Sequence, residues 1–291
     1  MNPESCRVPK VSVYISTHNR LDRLKRAIQS VLLQDYENIE LLVCDDASQD
    51  GTQEYMNSLC SEDKRVLYFR NEVNKGACVT RNLGIFNATG QFITGLDDDD
   101  VFTTDRIKIF VDNWDDKYSF LCCNFYDCYS NGVKKLHYRN INENIHLTYK
   151  DILFDNLASN QVFTLTERMK KIGGFDARVK RLQDWDTWLR LGYSFGTFKI
   201  LPKATYIMYH DHQQDEKRVS KAYPLFSALN ELRERNAELY SIEETKFIDY
   251  LVLLESKKAK MVDSIIWSVK RKKPKYILKY IEQFFSKNVH R

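Results

Sequence analysis

Three times in the first hundred residues, a short apolar run rich in β-branched side chains ends abruptly in a polar cluster. Residues 11–16 (VSVYIS) end in Thr17-His18-Asn19-Arg20, and residues 39–44 (IELLVC) end in Asp45-Asp46-Ala47-Ser48. Residues 91–96 (QFITGL) run straight into four consecutive aspartates at 97–100. A fourth run, residues 66–69, lies between the second and third. The segments between them have helical periodicity. Leu21, Leu24, Ala27, Ile28, Val31 and Leu32 recur at spacings of three and four over 21–34, a second helix follows an Asp50 N-cap through Leu59, and a third spans 76–87. Strands alternating with helices in this way predict an α/β fold, a mostly parallel sheet with helices on both faces. Such sheets bind ligands beyond the carboxyl ends of their strands, so the fold itself gathers the three clusters into one site.

Beyond residue 115 the pattern loosens. Residues 120–126 and 161–165 read as strands, Gly173-Gly174 as a tight turn, and residues 184–191 (DWDTWLRL) as a short helix packed through its tryptophans. Residues 198–201 and 204–209 read as two further strands, the second opening into His210-Asp211-His212. From Lys221 onward the chain reads as helical, with Pro274 its one internal breaker. This divides the chain into a catalytic α/β domain, 1–220, and a C-terminal helical extension, 221–291.

Composition narrows the class. With 43% hydrophobic and 13% aromatic residues the chain can bury a large core. No window approaches the ~18–20 uninterrupted apolar residues of a membrane span. The N-terminus, MNPESCRVPK, lacks the apolar stretch of a signal peptide. Seven cysteines without a CxxC framework predict reduced thiols in a cytoplasmic protein. The net charge of +4 conceals a split: residues 246–291 hold twelve basic and four acidic residues, leaving the preceding body at −4. Such asymmetry predicts an anionic surface as partner, and with no nucleic-acid-binding motif present, lipid headgroups are the expected one.

The clusters carry chemistry. Four aspartates after a buried strand repel one another unless a cation binds, and hard carboxylate oxygens suit Mg²⁺ or Mn²⁺. Asp45-Asp46 can cap a helix or hydrogen-bond a base or ribose. Arg81 can reach a diphosphate because its helix flanks the same crevice.

Together VSVYISTHNR, LLVCDDASQDGT, NKGACVTRNLGI, LDDDD and QDWDTWLRL resemble glycosyltransferase family 2, the inverting enzymes with the GT-A, Rossmann-like fold, over residues 10–220. The resemblance implies transfer of a hexose from a nucleotide sugar, UDP-linked, to a lipid-linked glycan acceptor in lipopolysaccharide O-antigen or capsule assembly. Ser16, Thr17, Asn19 and Arg20 would then line the nucleotide pocket, Asp46 would contact the base, and Arg81 and Lys75 would face the diphosphate. Asp97 and Asp98 would lie against ribose and metal-bound water, with Asp99 the direct ligand of Mn²⁺ or Mg²⁺. Asp184 would be the general base, with Asp186 as fallback; Gln183 stands where the family has Glu. His212, or alternatively His210, would complete the metal site, and Arg218 and Ser220 would close over the nucleotide. The rivals are a sugar nucleotidyltransferase, for which residues 16–20 lack the Gly-rich phosphate loop, and a non-catalytic nucleotide-sugar-binding module. The C-terminal helices would rest on the anionic inner face of the plasma membrane.

Overall fold

The structure, a computed structural model, describes residues 8–159, 161–210 and 223–288. The chain divides into two compact units, Met1–Val179 with Gln183–Glu216, and Lys180–Leu182 with Lys217–Arg291.

The first unit opens with the predicted alternation: β1 (Val11–Thr17), α1 (Leu21–Leu32), β2 (Ile39–Asp45), α2 (Thr52–Glu62), β3 (Val66–Arg70), α3 (Ala77–Asn87) and β4 (Phe92–Asp97). Then follow β5 (Val101–Phe102), α4 (Arg106–Asn113), β6 (Leu121–Tyr129), β7 (Lys134–Leu136) and β8 (Ile145–Leu147). The unit ends with β9 (Phe163–Leu165), α5 (Thr166–Lys171), α6 (Gln183–Phe195) and β10 (Phe198–His210). The sheet order is β3-β2-β1-β4-β9-β6-β10-β5, with β7 on β6 and β8 on β10. β1–β4, β6 and β10 run the same way, while β9 is antiparallel between β4 and β6. The two strands expected at 198–209 are one, β10, whose register slips on either side of Ala204, next to Pro202.

Strand order reverses at β1, which has β2 on one side and β4 on the other. That switch point opens the crevice at the strands' carboxyl ends. Beneath it, Val11, Val13 and Ile15 of β1 are fully buried in one core with Leu24, Ala27, Ile28 and Val31 of α1. Phe163 stacks between Phe92 and Phe110, with ring centroids 4.8 and 4.9 Å apart.

Asp50 caps α2 from one position out. Gly51, at φ 86°, holds the N-cap position, while Asp50 Oδ1 accepts the backbone N–H (3.3 Å) and hydroxyl (2.6 Å) of Thr52, the first residue of α2, and Oδ2 accepts the backbone N–H of Leu21 (2.9 Å), the first residue of α1. One acid therefore closes both helices.

The second unit contains α7 (Leu225–Arg235), α8 (Ile242–Glu255), α9 (Met261–Lys270) and α10 (Lys275–Asn288). Pro274 is not its one breaker. A capping box of Ser241 with Glu244 starts α8, and a left-handed Lys257 (φ 61°) separates α8 from α9. Among the described residues no helix is long and apolar enough to cross a membrane.

Gly95 of β4 lies under the crevice, where an added Cβ would come within 2.2 Å of Gln161 Oε1 and 2.5 Å of the Tyr14 ring. Both neighbours are buried, so neither moves freely. Gly95→Ala is therefore expected to destabilise the protein by ~1–3 kcal/mol, measured by chemical denaturation.

Candidate active site

Register brings the polar clusters together. Across the sheet Ser16 pairs with Cys44 on one side and Asp97 on the other, and Thr17 pairs with Asp45. The loops after β1 and β2 are stitched by side chains: the Asn19 N–H donates to Ser48 Oγ (2.9 Å), and the Gln49 N–H to Asn19 Oδ1 (2.7 Å). Asn19 sits at φ 54°, a conformation Asn tolerates better than most residues. Thr17 Oγ1 donates to Asp98 Oδ2 at 2.8 Å, tying this platform to the acidic run.

The four aspartates divide by burial, Asp97 and Asp99 half-buried, Asp98 and Asp100 buried. Asp98 gives one oxygen to Thr17 and the other to Arg20 (3.1 Å). Burial pushes its carboxyl up to about 6 against the pull of Arg20. Asp100 accepts the Tyr206 hydroxyl (2.7 Å) and the Tyr209 N–H (2.8 Å), anchoring β10, and burial together with Asp99 and Asp97 holds it well above the usual carboxylate range. Of the two residues expected at ribose and metal-bound water, only Asp97 stays open to a ligand, since Asp98 faces inward. Asp99 pairs with Arg20 at 3.2 Å.

Asp46 has a different task from the one expected of it. Its carboxylate accepts Asn71 Nδ2 and the backbone N–H groups of Lys75 and Gly76, each at 2.8 Å, so it clamps the loop before α3. The Lys75 residue itself is exposed.

Arg81 joins the two sides of the crevice. One guanidinium nitrogen donates to Asp97 Oδ1 (3.1 Å); the other donates to Gln183 Oε1 (2.9 Å) and lies 3.5 Å from Asp184 Oδ1. Burial alone would lower its pKa, but Asp184 and Asp97 outweigh that and hold it above the usual arginine value. Asp184 Oδ1 is out of reach of solvent and accepts no hydrogen bond. Burial raises the Asp184 carboxyl to about 6, with Arg81 opposing and Asp97 reinforcing. Asp186, the fallback base, lies elsewhere. It is buried and accepts Arg190 Nε (2.9 Å), whose other nitrogens hold the carbonyls of Ile172 and Gly174 at 2.7 Å.

His210 bonds Asp127 through Nε2 (2.8 Å) and stacks on Tyr129, so it is committed to that carboxylate rather than to the acidic run. His212, Arg218 and Ser220 lie outside the described residues. Sequence reading missed Gln161, a buried side chain donating to Asp97 Oδ1 (3.1 Å) while accepting the Tyr14 hydroxyl (3.0 Å). It missed Tyr206 also. Gln161, just before β9, and Tyr206, on β10, reach the site from far along the chain, and no local pattern marks them.

The fit of a divalent cation rests on Asp97 and Asp99, two half-buried carboxylates two positions apart at a strand end. Hard, anionic oxygens of this kind suit Mg²⁺ or Mn²⁺, which take one or two carboxylates and fill the remaining positions from phosphate and water.

Removing the Arg81 cation leaves Asp97 and Asp184 facing each other. Arg81→Met is expected to cost ~2–3 kcal/mol at neutral pH, less than a fully buried pair because both carboxylates keep partial contact with solvent. The Asp184 carboxyl, already raised, moves higher without Arg81, so the folded state binds its proton more tightly than the unfolded chain. The deficit should therefore be smallest in acid and grow as pH rises through 6 and above, read from melting temperatures of both proteins on either side of that value.

Comparison with known proteins agrees with this geometry. The Glycosyl transferase family 2 model matches residues 12–196. WcaA of Escherichia coli (strain K12), named as a colanic acid biosynthesis glycosyl transferase, is 33% identical over 247 residues, 82% of this chain and 85% of that protein. A Campylobacter jejuni GalNAc(5)-diNAcBac-PP-undecaprenol beta-1,3-glucosyltransferase is 35% identical over 113 residues, only 38% of this chain and 37% of its own length. Among solved structures, S. aureus TarS 1-349 in complex with UDP-GlcNAc superposes with a TM-score of 0.66, covering 94% of this chain and 79% of that one at 19% identity, a likeness of fold. With the family pattern spanning most of the first unit and a relative aligned along both chains, the protein belongs to glycosyltransferase family 2.

Proposed function

We propose that this protein is an inverting, metal-dependent hexosyltransferase that takes its sugar from a UDP-linked donor. One observation carries the reading: the Asp184 side chain stays 28% exposed at the crevice with a carboxyl near 6, its buried oxygen against Arg81 and a single guanidinium away from the strand-end Asp97. In inverting transfer an acceptor hydroxyl attacks the anomeric carbon as the nucleoside diphosphate leaves from the opposite face. Asp184 accepts the hydroxyl proton as the new C–O bond forms, which requires the ionised form that prevails above pH 6. Arg81 holds that carboxylate and Asp97 in fixed relation, while the stitched loops 17–20 and 45–49 form the platform for the nucleotide. Asp99, with Asp97 beside it, would hold Mg²⁺ or Mn²⁺, which when bound offsets the charge developing on the diphosphate.

The choice of UDP draws support from the TarS complex, which holds UDP-GlcNAc. For the acceptor, WcaA is named for colanic acid biosynthesis, and two relatives, including E. coli WfaP, are named beta-1,3-glucosyltransferases acting on diphosphoundecaprenol-linked sugars. We therefore assign a lipid-linked saccharide in surface-polysaccharide assembly, met at the cytoplasmic face of the membrane. The acidic body and basic C-terminal segment suit that setting.

Two experiments test the assignment. Asp184→Asn should keep donor affinity, by calorimetry, while kcat falls ~10²–10⁴-fold; undiminished turnover would remove Asp184 as the base. Chelation by EDTA should abolish transfer and added Mn²⁺ or Mg²⁺ restore it, with Asp99→Asn needing far more metal for half-maximal rate. Full activity in chelator would overturn the metal's role.

A further inference from the structure

The second unit hides one apolar surface and displays another. Its interior is aromatic: Phe247 and Tyr250 of α8, Trp267 of α9 and Tyr276 of α10 pack with ring centroids 4.9–6.2 Å apart. Ser264 and Trp267 mark the buried face of α9. On its solvent side Val262, Ile265, Ile266 and Val269 fall at i, i+3, i+4 and i+7, exposed by 61, 41, 44 and 72%. On α10, Leu278, Ile281, Phe284 and Phe285 fall at i, i+3, i+6 and i+7, exposed by 60, 39, 53 and 62%. A helix that is only solvated carries polar residues on its outer face. Here two adjacent helices carry large aliphatic and aromatic ones, and a contiguous apolar surface of this kind marks a contact.

Charge identifies the occupant. Residues 256–285 hold nine basic residues against two acids, Asp263 and Glu282. The cations bracket the apolar stripe: Lys257, Lys258 and Lys260 precede α9, while Lys272 and Lys273 lie in the exposed turn before α10 and Lys275 opens that helix. A second copy of the chain would bring like charges together along this face. An anionic bilayer accepts both parts, acyl chains taking the stripe while headgroups meet the lysines, which reach outward on their long stems.

We propose that the outer faces of α9 and α10 form a monolayer-inserting surface specific for anionic phospholipid, with the lysine-rich segments at both ends of α9 as its headgroup contacts. This deepens the reading that the acceptor is lipid-linked, and rests on it for its biological purpose. The binding itself is independent of catalysis.

The test is flotation of the full-length protein with vesicles of phosphatidylcholine alone or mixed with phosphatidylglycerol. Wild type should float only with the anionic vesicles. Ile265→Asp with Val269→Asp should weaken partition by about tenfold or more, and Lys272→Glu with Lys273→Glu by about tenfold. High salt should weaken wild-type binding without abolishing it, since the stripe is inserted. Circular dichroism and melting confirm folding; if the aspartate pair melts early, Ile265→Ser with Val269→Ser supplies the same readout. Unchanged flotation of the apolar variants overturns the proposal. So does a wild-type dimer, seen by sedimentation, that these variants dissolve while no vesicle binding occurs. Transfer to a water-soluble acceptor should survive in every variant. Loss of flotation with intact transfer therefore bears on this surface alone, whereas flotation by a protein inactive on lipid-linked acceptors counts against the acceptor assignment.

Discussion

The crevice depends on one cation. Arg81 stands between the end of a strand and the start of a helix, with Asp97 on one side and Asp184 on the other. Two carboxylates this close in a partly desolvated site would otherwise repel and draw protons. The guanidinium's planar fork satisfies both and adds a neutral partner, the Gln183 amide. The family's glutamate at 183 would place a third negative group on one arginine. With glutamine there, Arg81 retains its hydrogen bond while its charge is shared by two acids. Arg81 is thus the cation that Asp97 and Asp184 share, with Gln183 adding a hydrogen bond and no charge.

That link is held rigidly from below. The turn after α5 is fixed twice: Asn82, beside Arg81 in α3, exchanges hydrogen bonds of 2.8 Å with the backbone of Phe175, and Arg190 of α6 takes the carbonyls of Ile172 and Gly174. The same turn therefore locks α3 to α6 and sets the separation of Arg81 from Asp184. On the sheet side, buried Arg106 donates to the Gln161 carbonyl (3.2 Å) while packed among the rings of Phe102, Phe110 and Tyr206. Gln161 in turn positions Asp97. A buried cation with no carboxylate beside it is costly, and burial lowers its pKa accordingly. Its yield is a fixed backbone under the acidic run.

Periodicity made the first half of the fold legible. β1 to β4 and α1 to α3 follow from apolar spacing, because β1, β2 and β4 are buried on both faces and each helix on one. The convergence of Thr17, Asp45 and Asp97 follows from parallel register alone. What periodicity does not carry is long-range pairing. Nothing local tells that Asp98 turns inward while Asp97 stays open, or that Asp46 holds the 71–76 loop; each depends on a partner 25 to 81 residues away. The short strands β5, β7 and β8 are of two or three residues, too brief for an alternating pattern to register. In the second unit a composition rich in lysine and aliphatics reads as continuous helix apart from Pro274, and the further breaks come from a capping box and a left-handed lysine.

The small net charge is a sum of opposites that each require something outside the chain. The acidic run keeps two carboxylates half-open at a strand end, where their repulsion is relieved only in part by Arg20 and Arg81. The helical unit keeps its lysines exposed beside an apolar stripe, an arrangement water stabilises poorly. Either feature alone could be a tolerated imperfection. Together they set an acidic run at a strand end of one unit and a basic excess, twelve to four over residues 246–291, in the other. On the functional reading proposed above, the acids would meet a cation with its diphosphate and the lysines anionic headgroups.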